Sequence, residues 1–385
     1  MPWESKTVEK IREEFVAKAQ AEGCNFSQLC REYHISRVTG YEWVKRYEDG
    51  YDLSDRSHAP ISRPHKTPPE MEELVLELRD KQPTWGPRKL HRNLVNRGIQ
   101  GVPAPSTIAA ILKRNDKITP EESVKHTPWR RFVREFPNDL WQMDYKGHFA
   151  LTNTQRCHPL TMLDDHARYL LCLDAKDNER YEPTKASIER IMREFGMPNT
   201  ILCDNGPPWG DAHGGYTMFE IWMMQLNILP IHGRIMHPQT QGKDERFHRT
   251  LKEDLLMRKP MHSIEHAQNE FDDFRYCYNH ERPHEALDLE VPAKIYRKSN
   301  RQYKEKLQEP EYGSGGNLRK VNAKGYVSIE RKRYYIGESF IGRYLEIQPE
   351  AADEIALCYG EFSVARLDLN EQCFVSKRIL RRAKV

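Results

Sequence analysis

From Trp141 to Lys252 the hydrophobic period changes in a fixed order, and that order admits few folds. Residues 141–151 alternate as a strand, and residues 160–163 and 169–173 make two more, joined by the polar turn 164–168. A helix is expected over 183–195, ended by Gly196-Met-Pro198, then a short apolar strand over 200–203. A helix over 216–226, a strand over 228–231 and a last helix complete the run. A three-stranded meander followed by helix–strand alternation predicts a mixed sheet with helices packed on it.

The last helix emerges from a polar, Pro-broken stretch, His237-Pro-Gln-Thr-Gln-Gly-Lys-Asp-Glu-Arg-Phe-His-Arg-Thr-Leu-Lys252. Glu245, His248, Arg249 and Lys252 fall at helical offsets that put them on one side. Alone, such a stripe reads equally well as a solvated face. Two aspartates upstream change its meaning: Asp144 lies inside the first strand, and Asp204 follows the apolar run 200–203. Carboxylates from two strands and a helix meet only if sheet and helix pack together. Three close carboxylates repel one another and need cations or protons. Oxygen-only donors suit Mg²⁺ or Mn²⁺, and two such ions would serve in-line phosphoryl transfer. The chain offers no nucleophile elbow, P-loop or H-E-x-x-H to suggest other chemistry.

Rival acids have plainer readings. Asp164 and Asp165 sit at a strand-to-strand turn, where Asp makes local hydrogen bonds. Asp244 points about 100° around the helix from Glu245 and is expected to face solvent. Asp211 and His213 lie in a Gly-rich stretch and are candidates only for contact with DNA.

On either side the chain is modular. It has 385 residues, 30% charged and 38% hydrophobic, with a net charge of only +3. That polarity fits several small modules better than one globule. Residues 1–50 read as three helices with a tight turn before the last, a helix-turn-helix placing Arg37, Thr39 and Tyr41 toward a major groove. Residues 51–69 are a Pro-rich linker. Residues 70–115 form a second helix-turn-helix candidate, and residues 81–115 contain seven Lys/Arg and no Asp or Glu. Its candidate phosphate contacts are Arg88, Lys89, Arg92, Lys113 and Arg114. A linker at 116–138 precedes the core at 139–296, and a Gly-containing linker at 297–319 follows it. Short alternating strands over 320–370 suggest a small β-barrel, and a basic tail spans 371–385. The fold class expected is multidomain: all-α modules, an α/β core, then β. Eight scattered cysteines without C-x-x-C, no signal peptide and no membrane-length apolar run predict a reduced cytoplasmic protein with no membrane partner.

Trp-Gln-Met-Asp144, Cys-Asp204-Asn-Gly and His-Pro-Gln-Thr-Gln-Gly-Lys-Asp-Glu245-Arg-Phe-His resemble the DDE core of bacterial insertion-sequence transposases, in the retroviral-integrase superfamily. Tyr278-Asn-x-x-Arg-Pro-His284 resembles that group's core ending, and the similarity extends over most of the chain. It implies a ribonuclease-H-like fold, Asp144, Asp204 and Glu245 as catalytic metal ligands, and Lys252 as a basic residue near DNA, with His248 and Arg249 as helpers. It further implies two ions per site, double-stranded DNA (terminal inverted repeats and target) as partner, self-association as a dimer or higher oligomer, and a place at the bacterial nucleoid. One departure is visible: 40 residues separate Asp204 from Glu245, more than is usual in the family. The surplus is assigned to the loop 209–216. The alternatives are a non-catalytic DNA-binding regulator derived from such an enzyme, and a ribonuclease acting on RNA–DNA hybrids.

Overall fold

The computed structural model describes residues 7–55, 67–118, 134–206, 208–210, 215–233, 242–312, 317–351 and 353–382. Contacts divide the chain into two units, Met1–Lys66 and Thr67–Val385.

The first unit contains three helices, α1 (Val8–Ala19), α2 (Phe26–Glu32) and α3 (Arg37–Glu48). Each opens on a polar side chain: Thr7, Asn25 and Ser36 accept from the N–H groups of Lys10, Gln28 and Thr39. Such caps satisfy donors that a helix start leaves free. Phe15, Val16, Leu29, Cys30 and Leu53 form the small core. A Cβ on Gly40 of α3 would stand 2.9 Å from Cys30 Sγ and 3.0 Å from Phe15. Only glycine lets α3 approach that closely.

The second unit begins with α4 (Pro69–Lys81), α5 (Pro87–Asn96) and α6 (Pro105–Arg114), each with proline in its first turn, where no N–H is required. Their common core is Val75, Leu78, Trp85, Leu90, Leu94, Ile108, Ile111 and Leu112.

The mixed sheet follows: β1 (Trp141–Tyr145), the short β2 (Phe149–Ala150), β3 (Arg156–Asp164), β4 (Leu170–Lys176), β5 (Thr200–Cys203) and β6 (Leu229–His232). Its order across the sheet is β4-β3-β1-β5-β6, with β2 also pairing β3. β1, β3 and β4 run antiparallel as a meander, whereas β5 and β6 run parallel to β1. That is the ribonuclease-H-like topology. The expected strand over 141–151 is two strands, broken at Gly147, which has positive φ.

Helices cover both faces. On one, α7 (Tyr181–Phe195) lays Ile188, Ile191, Met192 and Phe195 against Trp141, Met143 and Met162 together with α8 (Met218–Gln225). On the other, Phe247 and Leu251 of α9 (Gly242–Leu251) join Phe271 of α10 (Ile264–Tyr276) over Leu163, Leu170 and Leu173. α10 also seals the edge of β4. Gln268 accepts from Ala175 N–H at 2.8 Å and donates to Leu173 O at 3.1 Å, and Asn279 pairs with both backbone groups of Leu170. An edge so covered cannot recruit another strand. π-helical turns extend α9 (Lys252–Leu256) and α10 (Cys277–Glu281), and the short α11 (Pro292–Ile295) follows.

Residues 297–312 have no helix or strand, yet they lie along the core. Arg301 donates to the carbonyls of Leu226 at 3.0 Å and Asn227 at 2.7 Å, and Ser299 to that of Met197 at 2.7 Å. The remaining strands are β7 (Asn317–Lys320), β8 (Tyr326–Ile329), β9 (Lys332–Tyr335), β10 (Tyr344–Pro349), β11 (Glu354–Tyr359), β12 (Phe362–Asp368), β13 (Cys373–Ser376) and β14 (Leu380–Arg381). They form an antiparallel sheet, β13-β12-β11-β10-β7 with β14 on β12, and a separate β8-β9 hairpin. The pairings among the described residues do not close this sheet into a barrel. All eight cysteines are free thiols, and no described helix is long and apolar enough to cross a membrane.

Candidate active site

Asp144 sits on the central strand β1, flanked by antiparallel β3 and parallel β5, and Asp204 is the first residue beyond β5. Burial pushes the Asp144 carboxyl up to about 7, with the negative charge of Asp204 the next cause. Burial also raises Asp204, against a hydrogen bond from Gly206 N–H and the charge of His232. Two neighbouring carboxylates that both resist ionisation form a cation-attracting pair. Glu179 raises both groups further, and its own carboxylate meets His158 Nδ1 at 2.7 Å.

Asp204 is anchored from behind. His232, on the neighbouring strand β6, donates from Nδ1 to the Asp204 carbonyl at 2.7 Å, and its Nε2 meets Glu220 Oε1 at 3.1 Å. Glu220 in turn accepts from Thr217 N–H at the start of α8 at 2.7 Å. Thus α8, β6 and the Asp204 loop are tied in one chain of hydrogen bonds.

The four residues of the expected α9 stripe do not share one environment. Glu245, Arg249 and Lys252 are exposed. His248 turns inward, its Nε2 at 3.0 Å from Thr161 Oγ1 and its Nδ1 at 3.9 Å from Asp144 Oδ2. Burial, then the charge of Lys146, lowers this imidazole to about 4, so it is neutral at neutral pH. Glu245 stands one turn before His248 on the same helix. Among the described residues no three such side chains come close enough to hold an ion. The oxygen donors of Asp144 and Asp204 nevertheless fit a hard divalent cation, whose charge would relieve their repulsion.

Asp244 corrects the expectation that it faces solvent. It is 1% exposed, and neither carboxylate oxygen has a hydrogen-bond partner among the described residues. Burial, then the charges of Asp144 and Asp165, raise it well above the usual range. The helix face is set by Phe247 and Leu251, which are buried, and residue 244 lies one turn before Phe247 on that face. Asp164 serves its turn, whereas the Asp165 carboxylate is taken up by partners outside it. Asp164 accepts from the N–H groups of Asn138 and Ala167, both at 2.7 Å, and Asp165 forms an ion pair with Lys243. Asp211 and His213 lie outside the described residues, as does most of the stretch before α9.

The candidate DNA contacts are spread over several surfaces. On α3, Arg37 and Tyr41 are exposed, Tyr41 stacking on Phe26 at 4.2 Å, while the Thr39 hydroxyl sits 2.9 Å from Ser36 Oγ at the helix cap. On α6, Lys113 and Arg114 are exposed, and Arg114 pairs with Glu72. On α5, Arg88 is exposed but Arg92 pairs with Glu290 of the core. Burial, then Arg282, lowers Lys89 to about 8. Sequence reasoning missed Glu179, His232, Glu220 and Thr161, which carry no local motif and enter the site only through strand pairing and helix packing.

Models of known domain families match much of the chain. A homeodomain-like domain matches residues 39–112, and integrase core domains match residues 134–238 and 226–292. The Gag-Pro-Pol polyprotein of squirrel monkey retrovirus is 33% identical over 129 residues, 32% of this chain and 6% of that protein. The insertion element IS476 uncharacterized 39.2 kDa protein of Xanthomonas euvesicatoria is 23% identical over 241 residues, 62% of this chain and 67% of that protein. A solved simian T-cell lymphotropic virus intasome, in complex with PP2A regulatory subunit B56 gamma, aligns with 81% of this chain and 99% of its own at 16% identity and a TM-score of 0.38.

Proposed function

We propose that this chain, which belongs to the DDE, retroviral-integrase superfamily, is a DNA transposase that cuts the ends of its own element and joins them to target DNA. The observation that carries the reading is the pairing of Asp144 and Asp204 at adjacent strands, each carboxyl raised by burial and neighbouring charge. Such a pair offers oxygen donors suited to divalent cations, whose charge would offset its repulsion. The insertion-element relative is consistent with it.

Asp144, Asp204 and Glu245 would hold Mg²⁺ or Mn²⁺, two ions per site. Bound there, the ions would supply Lewis acidity toward the scissile phosphate and lower the pKa of the attacking water or 3′-hydroxyl. His232 fixes the Asp204 loop through its carbonyl. Arg249 and Lys252, exposed along the same helix, grip phosphates beside the reacting bond. No side chain attacks the DNA, so both steps are direct transesterifications or hydrolyses without a covalent protein–DNA intermediate.

The helical modules at residues 1–50 and 70–115 recognise the terminal inverted repeats as duplex DNA. Arg37, Thr39 and Tyr41 act from α3, and Lys113 and Arg114 from α6, with Arg88, Lys89 and Arg92 on α5 beside the core. The C-terminal strands and basic tail bind DNA and bridge protomers. Joining two ends requires at least two subunits, working in the cytoplasm at the nucleoid.

The test uses Asp144→Asn, Asp204→Asn and Glu245→Gln. Each variant is expected to bind end-sequence DNA like the parent and to lose strand transfer in Mg²⁺. Strand transfer surviving in any one of them would sink the assignment of that carboxylate.

A further inference from the structure

Two polar ties join α9 to the sheet, and they stand on either side of Glu245. At the N-terminal end Lys243 pairs with Asp165 and donates to its carbonyl at 3.2 Å. One turn beyond Glu245, His248 meets Thr161. The rest of the inward face is the apolar pair Phe247 and Leu251 and the buried Asp244, which has no hydrogen-bond partner among the described residues, so none of the three sets a register of its own.

The protonation of the second tie follows from counting hydrogens. Thr161 is fully buried and is the register partner of Asp144 across β1 and β3. Its hydroxyl donates to the Asp144 carbonyl at 2.9 Å. That uses its one proton, so in the 3.0 Å contact with His248 the nitrogen must be the donor. His248 is therefore the Nε2–H tautomer, and the Nδ1 lone pair faces Asp144 Oδ2 across 3.9 Å.

We propose that His248 is a positioning residue: through Thr161 it clamps the helix carrying Glu245 to the strand carrying Asp144, and so sets the spacing of these two carboxylates. The proposal rests on the reading of Asp144 and Glu245 as metal ligands. The hydrogen bond His248–Thr161–Asp144 carbonyl is directional, whereas the flanking apolar contacts tolerate sliding and rotation. Partners that orient ligands from behind in this way typically affect metal affinity by about 10–100-fold.

The experiment uses the full chain and four variants. His248→Phe keeps a ring without the donor, and His248→Gln restores an N–H at a similar reach. Thr161→Val removes the hydroxyl, and Thr161→Ser keeps it. Amide hydrogen exchange of residues 243–251 is measured without metal, and Mn²⁺ affinity by electron paramagnetic resonance. H248F and T161V are expected to exchange faster along α9 and to bind Mn²⁺ about tenfold more weakly, while H248Q and T161S stay near the parent. Unchanged exchange and affinity in H248F overturns the clamp. Equal losses in H248F and H248Q also overturn it, because they mark ring packing rather than the hydrogen bond. Asp144→Asn separates the premises: if it binds Mn²⁺ as well as the parent, the metal reading fails, and the exchange data still judge the clamp.

Discussion

His232 donates its Nδ1–H to the main-chain carbonyl of Asp204 while its other nitrogen meets the buried carboxylate of Glu220. Burial alone would depress this imidazole, but bonds to Cys203, Glu220 and the Asp204 carbonyl carry it up to about 11. It is therefore an imidazolium in the folded protein and ordinary in the unfolded chain, with a value near 6.5.

A folded-state value above the unfolded one stabilises fully below the lower value and is lost as pH rises toward the upper one. Glu220→Gln removes the partner that holds the charge, at a cost of about 2 kcal/mol near pH 6. The deficit relative to the parent is expected to stay constant through neutral pH and to shrink only as pH approaches the folded value of about 11. Urea unfolding at pH 6, 8, 10 and 11 measures it. A deficit undiminished at pH 11 would mean that the imidazole is not charged.

Asp144 has the same sign in a lower pH window. It is an acid whose folded value, about 7, lies above its ordinary 3.8, so the folded state holds the extra proton between those limits. The metal-free protein is expected to lose stability as pH rises from about 4 to about 7, then to level off. Asp144→Asn should remove that component of the slope. Divalent cation binding expels the proton, so Mn²⁺ affinity should climb with pH across the same window. Calorimetric melting of parent and variant, with and without Mn²⁺, checks both statements.

Thr84, in the turn between α4 and α5, donates to Asp254 Oδ1 at 2.5 Å, and Arg282 pairs with the other oxygen of Asp254. Both charged side chains are buried, at 6% and 11% exposed. Asp254 lies in the π-helical extension of α9, so the second helical module is fastened to the helix bearing Glu245. Asn93 reinforces the contact by donating to Glu281 O at 2.8 Å. Asp254→Ala strands the guanidinium and is expected to cost about 3–5 kcal/mol. Thr84→Ala should cost only about 1 kcal/mol. Chemical denaturation distinguishes them; a surface-like loss of a few tenths for D254A would show the pair to be solvated.

The core was legible in the chain because its information is local. Alternating runs gave the strands, Gly196 and Pro198 ended α7, and Asp144 fell within the central strand and Asp204 just beyond its parallel neighbour. The sequence order also implied the mixed topology, since a meander followed by helix-linked strands leaves few arrangements. The face of α9 was misjudged for a definite reason. The charge pattern groups residues 245, 248, 249 and 252, whereas the helix orients by Phe247 and Leu251. Residues 244, 247, 248 and 251 form the buried stripe, which takes in Asp244 and His248 and leaves Glu245 outside. The ties through His232, Glu220 and Thr161 were not legible, because each joins residues brought together only by strand pairing or by the packing of α8 and α9.

Asp244 provides the sharpest discrimination between the two adjacent acids. Its carboxyl is sealed from solvent and has no hydrogen-bond partner among the described residues, and burial with nearby acids pushes its pKa well up. A buried polar group without partners costs about 1–3 kcal/mol. Replacing it with a group of similar size and no charge is therefore expected to stabilise. Asp244→Leu should raise the melting temperature by about 1–4 °C, at about 1 °C per kcal/mol for a chain of this size. Because its side chain is buried, Mn²⁺ binding and strand transfer should persist in D244L. Glu245→Gln should show the reverse, with an unchanged melting temperature and lost strand transfer. If D244L abolishes Mn²⁺ binding while E245Q keeps it, the third ligand is Asp244, and α9 must rotate by about 100° about its axis when it takes up metal.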